Sequence, residues 1–151
     1  MQMTGKTLII LKPDAIQRSL AGEIISRLEK KGLKIVAMKM VLLSREKAEK
    51  LYDIHRDKKF FNDLVNYITS GPVIAMIVEG NDVINVVRKL MGKTNGAEAE
   101  PGTIRGDYST SIEKNLIHGS DSEESFKREM PVFFSESEFI NYQKIDESWI
   151  K

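Results

Sequence analysis

Cysteine is absent from the 151 residues, and histidine occurs only twice. Without thiols the chain has no disulfides, thiolate metal sites or cysteine nucleophiles. Two imidazoles, those of His55 and His118, are too few for a histidine-rich zinc site. A glycine-rich phosphate loop is missing too: Gly92-Lys93-Thr94 resembles the end of a P-loop, but Val87 stands where that motif needs its first glycine. Phosphate chemistry in this chain would therefore need another architecture.

A strong excess of either charge is also missing, and so is any long hydrophobic run. There are 23 Lys and Arg against 22 Asp and Glu, so no global field attracts nucleic acid or a membrane surface. The first apolar run, 8–11, is too short for a signal peptide or a membrane span. The length and the 41% hydrophobic content suit a single domain covering residues 1–151. We expect a cytoplasmic protein with no membrane partner.

The hydrophobic pattern alternates between strand and helix periods along the chain. Strands are predicted at 7–12, 35–43, 73–78 and 116–117, and helices at 21–31, from Ser44 to about 55, from 60 to 68, from Asn81 or Asp82 to 91, and from Asp121. Residues 93–114 read as a long loop, which is usually functional or disordered. Taken alone, this order predicts an α/β or an α+β fold.

The segment 115–121 concentrates the signals that point to chemistry. His118 follows an apolar pair and precedes a helix-start signal, in which Ser120 and Glu123 have the spacing of a capping box. A histidine at such a strand-to-helix corner would lie near unpaired helix N–H groups, which attract phosphate. The alternative is a histidine satisfied by local hydrogen bonds.

Motifs spread over the whole chain resemble those of the nucleoside diphosphate kinase family. They are Asn-x-x-His-Gly-Ser-Asp at 115–121, Lys-Pro-Asp at 12–14, Phe-Phe at 60–61, Ser-Gly-Pro-Val at 70–73, Pro-Gly-Thr-Ile-Arg-Gly-Asp at 101–107 and Trp-Ile at 149–150. The resemblance implies a ferredoxin-like (split βαβ) α+β sandwich, with a four-stranded antiparallel sheet covered by helices. It also implies transfer of the γ-phosphate of ATP, or another nucleoside triphosphate, to nucleoside diphosphates, which maintains the triphosphate pools.

The family resemblance assigns the catalytic roles to a few residues. His118 would be phosphorylated in a ping-pong mechanism, Glu129 would orient its ring, and Ser120 would support that carboxylate. Tyr52 would place a phenol near the transferred group. Without the resemblance, Glu129 would read as a solvated helix charge and Tyr52 as half-buried packing.

The nucleotide contacts implied by the resemblance come from several separate segments. The residues that would contact the phosphates are Lys12, Arg88, Arg105 and Thr94. The ribose 3′-hydroxyl would be contacted by Lys12 and Asn115. The base would be contacted by Phe60, Leu64 and Ile112. Stacking tolerates every base, because each has a π-face. Without the resemblance, Phe60 would be interpreted as a core residue like Phe61. His55 is assigned a structural role.

Magnesium and assembly are further implications of the resemblance. Mg²⁺ would be held mainly by substrate phosphates and water, with Asp121 holding one water and Asp14 a weaker candidate. A homohexamer, a trimer of dimers, is expected, with the loop 93–114 around the threefold axis. Gly96 stands where proline is frequent, so Gly96→Pro is expected to stabilise if the local φ suits it.

A nucleic-acid-binding module is the rival interpretation, since ferredoxin-like sheets also form RNA-binding domains. The balanced charge and the absence of an RNA-binding string of the type K/R-G-F/Y-G/A-F-V-x-F/Y both argue against it. A secondary binding role in the cell stays open.

Overall fold

The computed structural model describes residues 4–151. Its elements in chain order are β1 (Thr4–Leu11), α1 (Pro13–Gln17), α2 (Ala21–Lys30), β2 (Lys34–Val41), α3 (Arg45–Leu51), α4 (Phe61–Ile68), β3 (Val73–Asn81), α5 (Val83–Met91), α6 (Ile104–Tyr108), β4 (Ile117–Gly119) and α7 (Glu123–Phe133). No helix within these residues is long and apolar enough to cross a membrane.

The four strands form one antiparallel sheet in the order β2-β3-β1-β4. Strand β3 lies between β1 and β2, and β1 lies between β3 and β4, so each βαβ unit is split by a strand of the other. The split βαβ sheet covered by helices, which the family resemblance implied, is confirmed.

The two central strands contain continuous apolar runs, 8–11 in β1 and 73–78 in β3, because both faces of the sheet are covered by helices there. On one face Leu8 and Ile10 of β1 pack in a cluster with α3, α4 and α7. On the other face Ile9 and Leu11 pack with α2 and α5. Successive strand residues point to opposite faces, so one strand contributes to both cores.

Several predicted helix boundaries hold for the expected physical reasons. Ser44 caps α3 by accepting a hydrogen bond from the Lys47 amide over 3.2 Å. Gly32, at φ 100°, terminates α2 in the left-handed conformation that glycine adopts most readily.

Two short helices escaped the sequence prediction. Helix α1 follows directly after β1, where Pro13 occupies its first turn. Helix α6 lies inside the segment read as a structureless loop, and Thr103 caps it by accepting from the Gly106 amide over 2.9 Å. Helices of five residues are too short to show an apolar period.

The capping box predicted at Ser120 and Glu123 is wrong. Helix α7 begins at Glu123, and the hydroxyl that caps it belongs to Ser122, which accepts from the Ser125 amide over 3.1 Å. Ser120 instead donates to the buried carboxylate of Glu129. Strand β4 runs over Ile117–Gly119 rather than 116–117, so His118 lies within the strand, not at a helix corner.

The stabilisation predicted for Gly96→Pro is also wrong. The Gly96 amide donates to the Ser111 carbonyl over 3.0 Å, and proline has no amide hydrogen to replace it. A Cβ at position 96 would also clash with the backbone and side chain of Ser109. Glycine at position 96 is required by this close approach of two loop segments.

Candidate functional site

His118 and Lys12 lie on the same side of the sheet, at the end of β1. His118 is paired with Ile10 across the β1–β4 ladder, and residues directly opposite each other share a face. That is the face covered by α3, α4 and α7. Lys12 comes two residues after Ile10, and its amide donates to the Leu116 carbonyl over 2.8 Å.

The ring of His118 is oriented by a buried carboxylate. Nε2 of His118 lies 2.9 Å from Oε1 of Glu129, and Ser120 Oγ donates to the same oxygen over 2.8 Å. An ionised carboxylate only accepts hydrogen bonds, so Nε2 carries the proton and Nδ1 keeps its lone pair. No residue in the described part of the chain hydrogen-bonds Nδ1.

The Glu129 carboxylate is buried, yet its neighbours stabilise its negative charge. Burial by itself would raise the pKa of the Glu129 carboxyl, but the hydrogen bonds and charge of His118, together with Ser120, outweigh it and hold that pKa below its usual range. The carboxylate is therefore ionised at neutral pH, ready to balance positive charge on the imidazole.

Tyr52 lies at the end of α3, with only 8% of its surface exposed. Burial, and secondarily the negative charge of Glu129, raise the pKa of its phenol. The phenol therefore keeps its proton at physiological pH and can act as a hydrogen-bond donor.

Lys12 is the first residue in a short series of polar contacts inside the protein. Its Nζ donates to Asn115 Oδ1 over 2.7 Å, and Asn115 Nδ2 donates to the Thr94 carbonyl over 2.9 Å. Burial and the nearby Arg105 lower the pKa of Lys12 to about 8, while Asp14 opposes the shift. The ammonium remains mostly protonated at neutral pH, and a bound polyphosphate would stabilise its charge further.

Arg105 is bound to the backbone around β4 rather than pointing freely into solvent. Its guanidinium donates to the carbonyls of Asn115 (3.2 Å), Gly92 (3.0 Å) and Ile117 (2.6 Å). Burial and the nearby Arg88 lower its pKa to about 10. These three hydrogen bonds leave two of the five N–H groups of Arg105 for a substrate anion. Arg88, by contrast, lies exposed on α5.

A cleft of about 460 Å³ opens beside this group; we call it the side cleft. The predicted site residues that line it are Lys12, Phe60, Leu64, Thr94, Ile112 and Asn115. Its volume lies in the range of small-molecule sites. The other predicted residues, His118, Glu129, Ser120, Tyr52, Arg88 and Arg105, lie outside its lining. Asn115 connects the two groups, because its carbonyl accepts a hydrogen bond from Arg105.

The sequence prediction missed four residues of the side cleft: Asp63, Tyr67, Glu113 and Lys114. For Tyr67 a signal was present, since positions 60, 64 and 67 follow the spacing of one helix face. Glu113 and Lys114 lie in an irregular segment, where sequence spacing carries no such information.

The two adjacent phenylalanines have the different environments expected of them. Phe60 is 45% exposed and lines the side cleft, whereas Phe61 is 7% exposed and belongs to the core. The ring of His55 packs against Phe60, with centroids 5.5 Å apart. The structure therefore gives His55 a packing contact with Phe60.

The described residues contain no group of three or more His, Asp or Glu side chains that could hold a metal. Asp14 is not a free carboxylate, because its two oxygens accept from Tyr67 Oη and from the Leu116 amide. Asp121 is exposed, and the hydrogen bond from Ser125 holds its pKa below its usual range, with smaller contributions from Arg88 and His118. Asp121 therefore offers an ionised carboxylate beside the site.

Comparison with known proteins identifies close relatives over nearly the whole chain. The family model "Nucleoside diphosphate kinase" matches residues 5–139. A nucleoside diphosphate kinase of Thermoplasma acidophilum is 57% identical over 145 residues, covering 96% of this chain and 98% of the relative.

Solved structures are similar to this fold over nearly the whole chain. A halophilic nucleoside diphosphate kinase from Halobacterium salinarum in complex with CDP is 45% identical, with a TM-score of 0.95 over 99% of both chains. A transition-state mimic of the Borrelia burgdorferi enzyme with bound vanadate and ADP is 41% identical, with a TM-score of 0.91 over 97% of this chain and 96% of the other.

Proposed function

This chain belongs to the nucleoside diphosphate kinase family of phosphotransferases, and on that premise we propose that it works through a phosphohistidine at His118. The γ-phosphate of ATP or another nucleoside triphosphate passes first to His118 and then to a nucleoside diphosphate. The observation that carries this proposal is the pairing of His118 Nε2 with Glu129, which leaves Nδ1 free as the nucleophile.

In the first half-reaction the Nδ1 lone pair forms a bond to the γ-phosphorus. The bond from that phosphorus to the β–γ bridging oxygen breaks, and the nucleoside diphosphate leaves with the electron pair. The imidazole becomes positively charged, and Glu129 balances that charge through Nε2–H. The second half-reaction reverses these steps with another diphosphate, so a single site serves both substrates in turn.

Positive side chains supply the electrostatic stabilisation that phosphoryl transfer requires, because negative charge spreads over the phosphoryl oxygens. Lys12 contributes a point charge, while Arg88 and the two remaining N–H groups of Arg105 suit forked contacts with phosphate. Thr94 and Tyr52 add hydroxyl donors. Lys12 and Asn115, which share a 2.7 Å hydrogen bond at the edge of the side cleft, would approach the ribose 3′-hydroxyl.

The residues present fit a Mg²⁺ ion carried by the substrate, because this ion keeps several waters and leans on phosphate oxygens rather than on a cage of side chains. Asp121 would hold one of its waters. When bound, the ion would neutralise charge on the polyphosphate.

The side cleft would hold the nucleoside, with the base stacked on Phe60, Leu64 beside that ring and Ile112 opposite it. Replacing Phe60 by alanine is expected to weaken nucleotide binding by about 1–3 kcal/mol, and by a similar amount for purines and pyrimidines. Dissociation constants measured by calorimetry for ADP, GDP and CDP check this.

Phe61→Ala is the matched control, because it removes the same side chain from the core. It should lower the melting temperature more than Phe60→Ala does and leave each of the three dissociation constants near its wild-type value. Normal nucleotide binding combined with early melting in Phe60→Ala would contradict the stacking role.

The proposed mechanism is tested by incubating the protein with γ-labelled ATP and then adding an unlabelled nucleoside diphosphate. We expect an acid-labile, base-stable phosphoprotein whose label moves into the new triphosphate. Without a labelled intermediate, direct transfer between bound nucleotides would replace the two-step scheme.

We also propose a homohexamer built as a trimer of dimers. Support comes from the edge strand β2 and the residue that follows its end: Met38 and Met40 of β2 are 46% and 59% exposed, and Leu42 is 76% exposed. An exposed apolar edge of this kind favours pairing with a second chain. The location in the cytoplasm and the extent of the domain over residues 1–151 stay predictions.

Sedimentation velocity at micromolar concentration tests the assembly, with the mass of six chains expected. Met40→Glu places a charge on the exposed edge and should shift the protein toward smaller species. A wild-type dimer or tetramer would contradict the hexamer, and an unchanged Met40→Glu assembly would exclude β2 from the interface.

A further inference from the structure

Leu116 adopts a backbone conformation that its side chain disfavours. Its φ is 76°, and its side chain is completely buried. A bulky residue in this left-handed region is an outlier that persists only when its surroundings hold it. The Ile117 amide donates to the Asn115 carbonyl over 2.9 Å, which closes a three-residue turn. We call residues 115–117 the Leu116 turn.

The Leu116 turn joins two residues of the candidate site. Asn115, its first member, binds Lys12 Nζ, and His118 follows its last member in β4. A change in the turn would therefore move the contacts of the ribose end and the nucleophile together.

Three neighbours hold the backbone of the turn. The Lys12 amide donates to the Leu116 carbonyl, and Arg105 donates to the carbonyls on either side of it. The amide of Leu116 is satisfied by a side chain: Asp14 Oδ2 accepts from it over 3.1 Å. Within the described residues, Asp14 is the acceptor for this amide.

The other oxygen of Asp14 contacts a residue that lines the side cleft. Oδ1 accepts a hydrogen bond from Tyr67 Oη, and the Tyr67 ring lines that cleft beneath Lys12 Nζ, which lies 5.9 Å from its centroid. One carboxylate thus bridges the wall of the cleft on α4 and the turn that precedes the nucleophile.

We propose that Asp14 is a positioning residue for phosphoryl transfer, which holds the Leu116 turn in its left-handed conformation and sets it against the Tyr67 wall of the side cleft. This inference rests on the proposed function, since the positioned group is His118. What matters is the position of its two hydrogen-bonding atoms, not its negative charge.

Three variants of Asp14 separate position from charge. Asp14→Asn keeps an acceptor for the Leu116 amide and can donate its amide hydrogen to Tyr67 Oη, so it should label His118 at nearly the wild-type rate. Asp14→Ala removes both contacts, and Asp14→Glu keeps the charge but moves it by one methylene. Both should slow labelling at saturating γ-labelled ATP by about 10–100-fold, because small misplacements of reacting groups carry losses of this order.

Two readouts distinguish positioning from a general loss of structure. The dissociation constant of ADP should rise by a smaller factor than the labelling rate falls in the alanine variant, because the turn carries only Asn115 of the residues that line the side cleft. Hydrogen exchange should accelerate at the Leu116 amide, while the amides of the central strands β1 and β3 keep their protection.

Glu138→Ala is the matched control. Glu138 also accepts from a backbone amide, that of Ser135, and from side chains, those of Lys39 and Ser135, but it lies in the tail after α7. Its loss should leave the labelling rate unchanged.

The outcomes are separable. Wild-type labelling rates in Asp14→Ala and Asp14→Glu would overturn the inference, and so would a slow Asp14→Asn beside a normal Asp14→Glu, which would show that charge matters. If Asp14→Ala does not fold, the labelling rates of Asp14→Glu and Asp14→Asn test the inference. An unlabelled wild-type protein would instead refute the proposed function.

Discussion

His118→Ala is expected to abolish formation of the labelled phosphoprotein. In the proposed mechanism Nδ1 of His118 is the only atom that bonds to the γ-phosphorus, and alanine offers no replacement. The neighbouring groups cannot take over: the Tyr52 phenol is held protonated, and Ser120 donates its hydrogen to Glu129. Phosphate transfer to a second nucleotide should be lost with it.

The measurement is the amount of acid-labile label per chain after incubation with γ-labelled ATP, checked beside a binding measurement with ADP. Binding should survive, because His118 does not line the side cleft. His55→Ala is the matched control, since it removes the other histidine and should still reach the full amount of label. Full labelling of His118→Ala would end the mechanism.

Glu129→Gln should reduce the rate of labelling by about 10²–10³-fold, the usual effect of removing a group that is preorganised for a developing charge. The amide keeps the size of the side chain and can still accept from Nε2–H, so His118 stays in place. What is lost is the negative charge that balances the imidazolium as Nδ1 bonds to phosphorus.

A single-turnover measurement at saturating ATP isolates this step from nucleotide release. Glu124→Gln makes the same chemical change on an exposed turn of the same helix and should label at the wild-type rate. Equal rates in Glu129→Gln and the wild type would show that the carboxylate only packs against the ring and does not stabilise its charge.

The amino-acid sequence determined the order of the long elements and, through the family resemblance, named the residues proposed to carry the chemistry. Continuous apolar runs predict buried strands, and apolar residues at helical spacing predict amphipathic helices. The approximate positions of β1, β3 and α5 could therefore be predicted from this pattern alone. The four-stranded topology came from the family resemblance, since periodicity does not specify which strands are neighbours.

Tertiary structure alone decided how polar groups are shared. Ser120 has the spacing of a helix cap, but its hydroxyl bonds to Glu129, because a buried carboxylate needs donors more than an exposed helix end does. Gly96 looked replaceable by proline until Ser109 and Ser111 were seen to approach it. Asp14 looked available to a metal, yet both its oxygens are bound by protein groups.

Each of these outcomes depends on contacts between segments that are far apart in the chain. Asp14 meets Tyr67 and Leu116 across separations of 53 and 102 residues, and the left-handed Leu116 has no local signal of its own. Local sequence sets conformational preference, whereas the partner of a buried polar group is chosen by whatever the fold brings within hydrogen-bonding distance. His118 could therefore be proposed as the nucleophile from the sequence, whereas the hydrogen bonds around it could not be predicted.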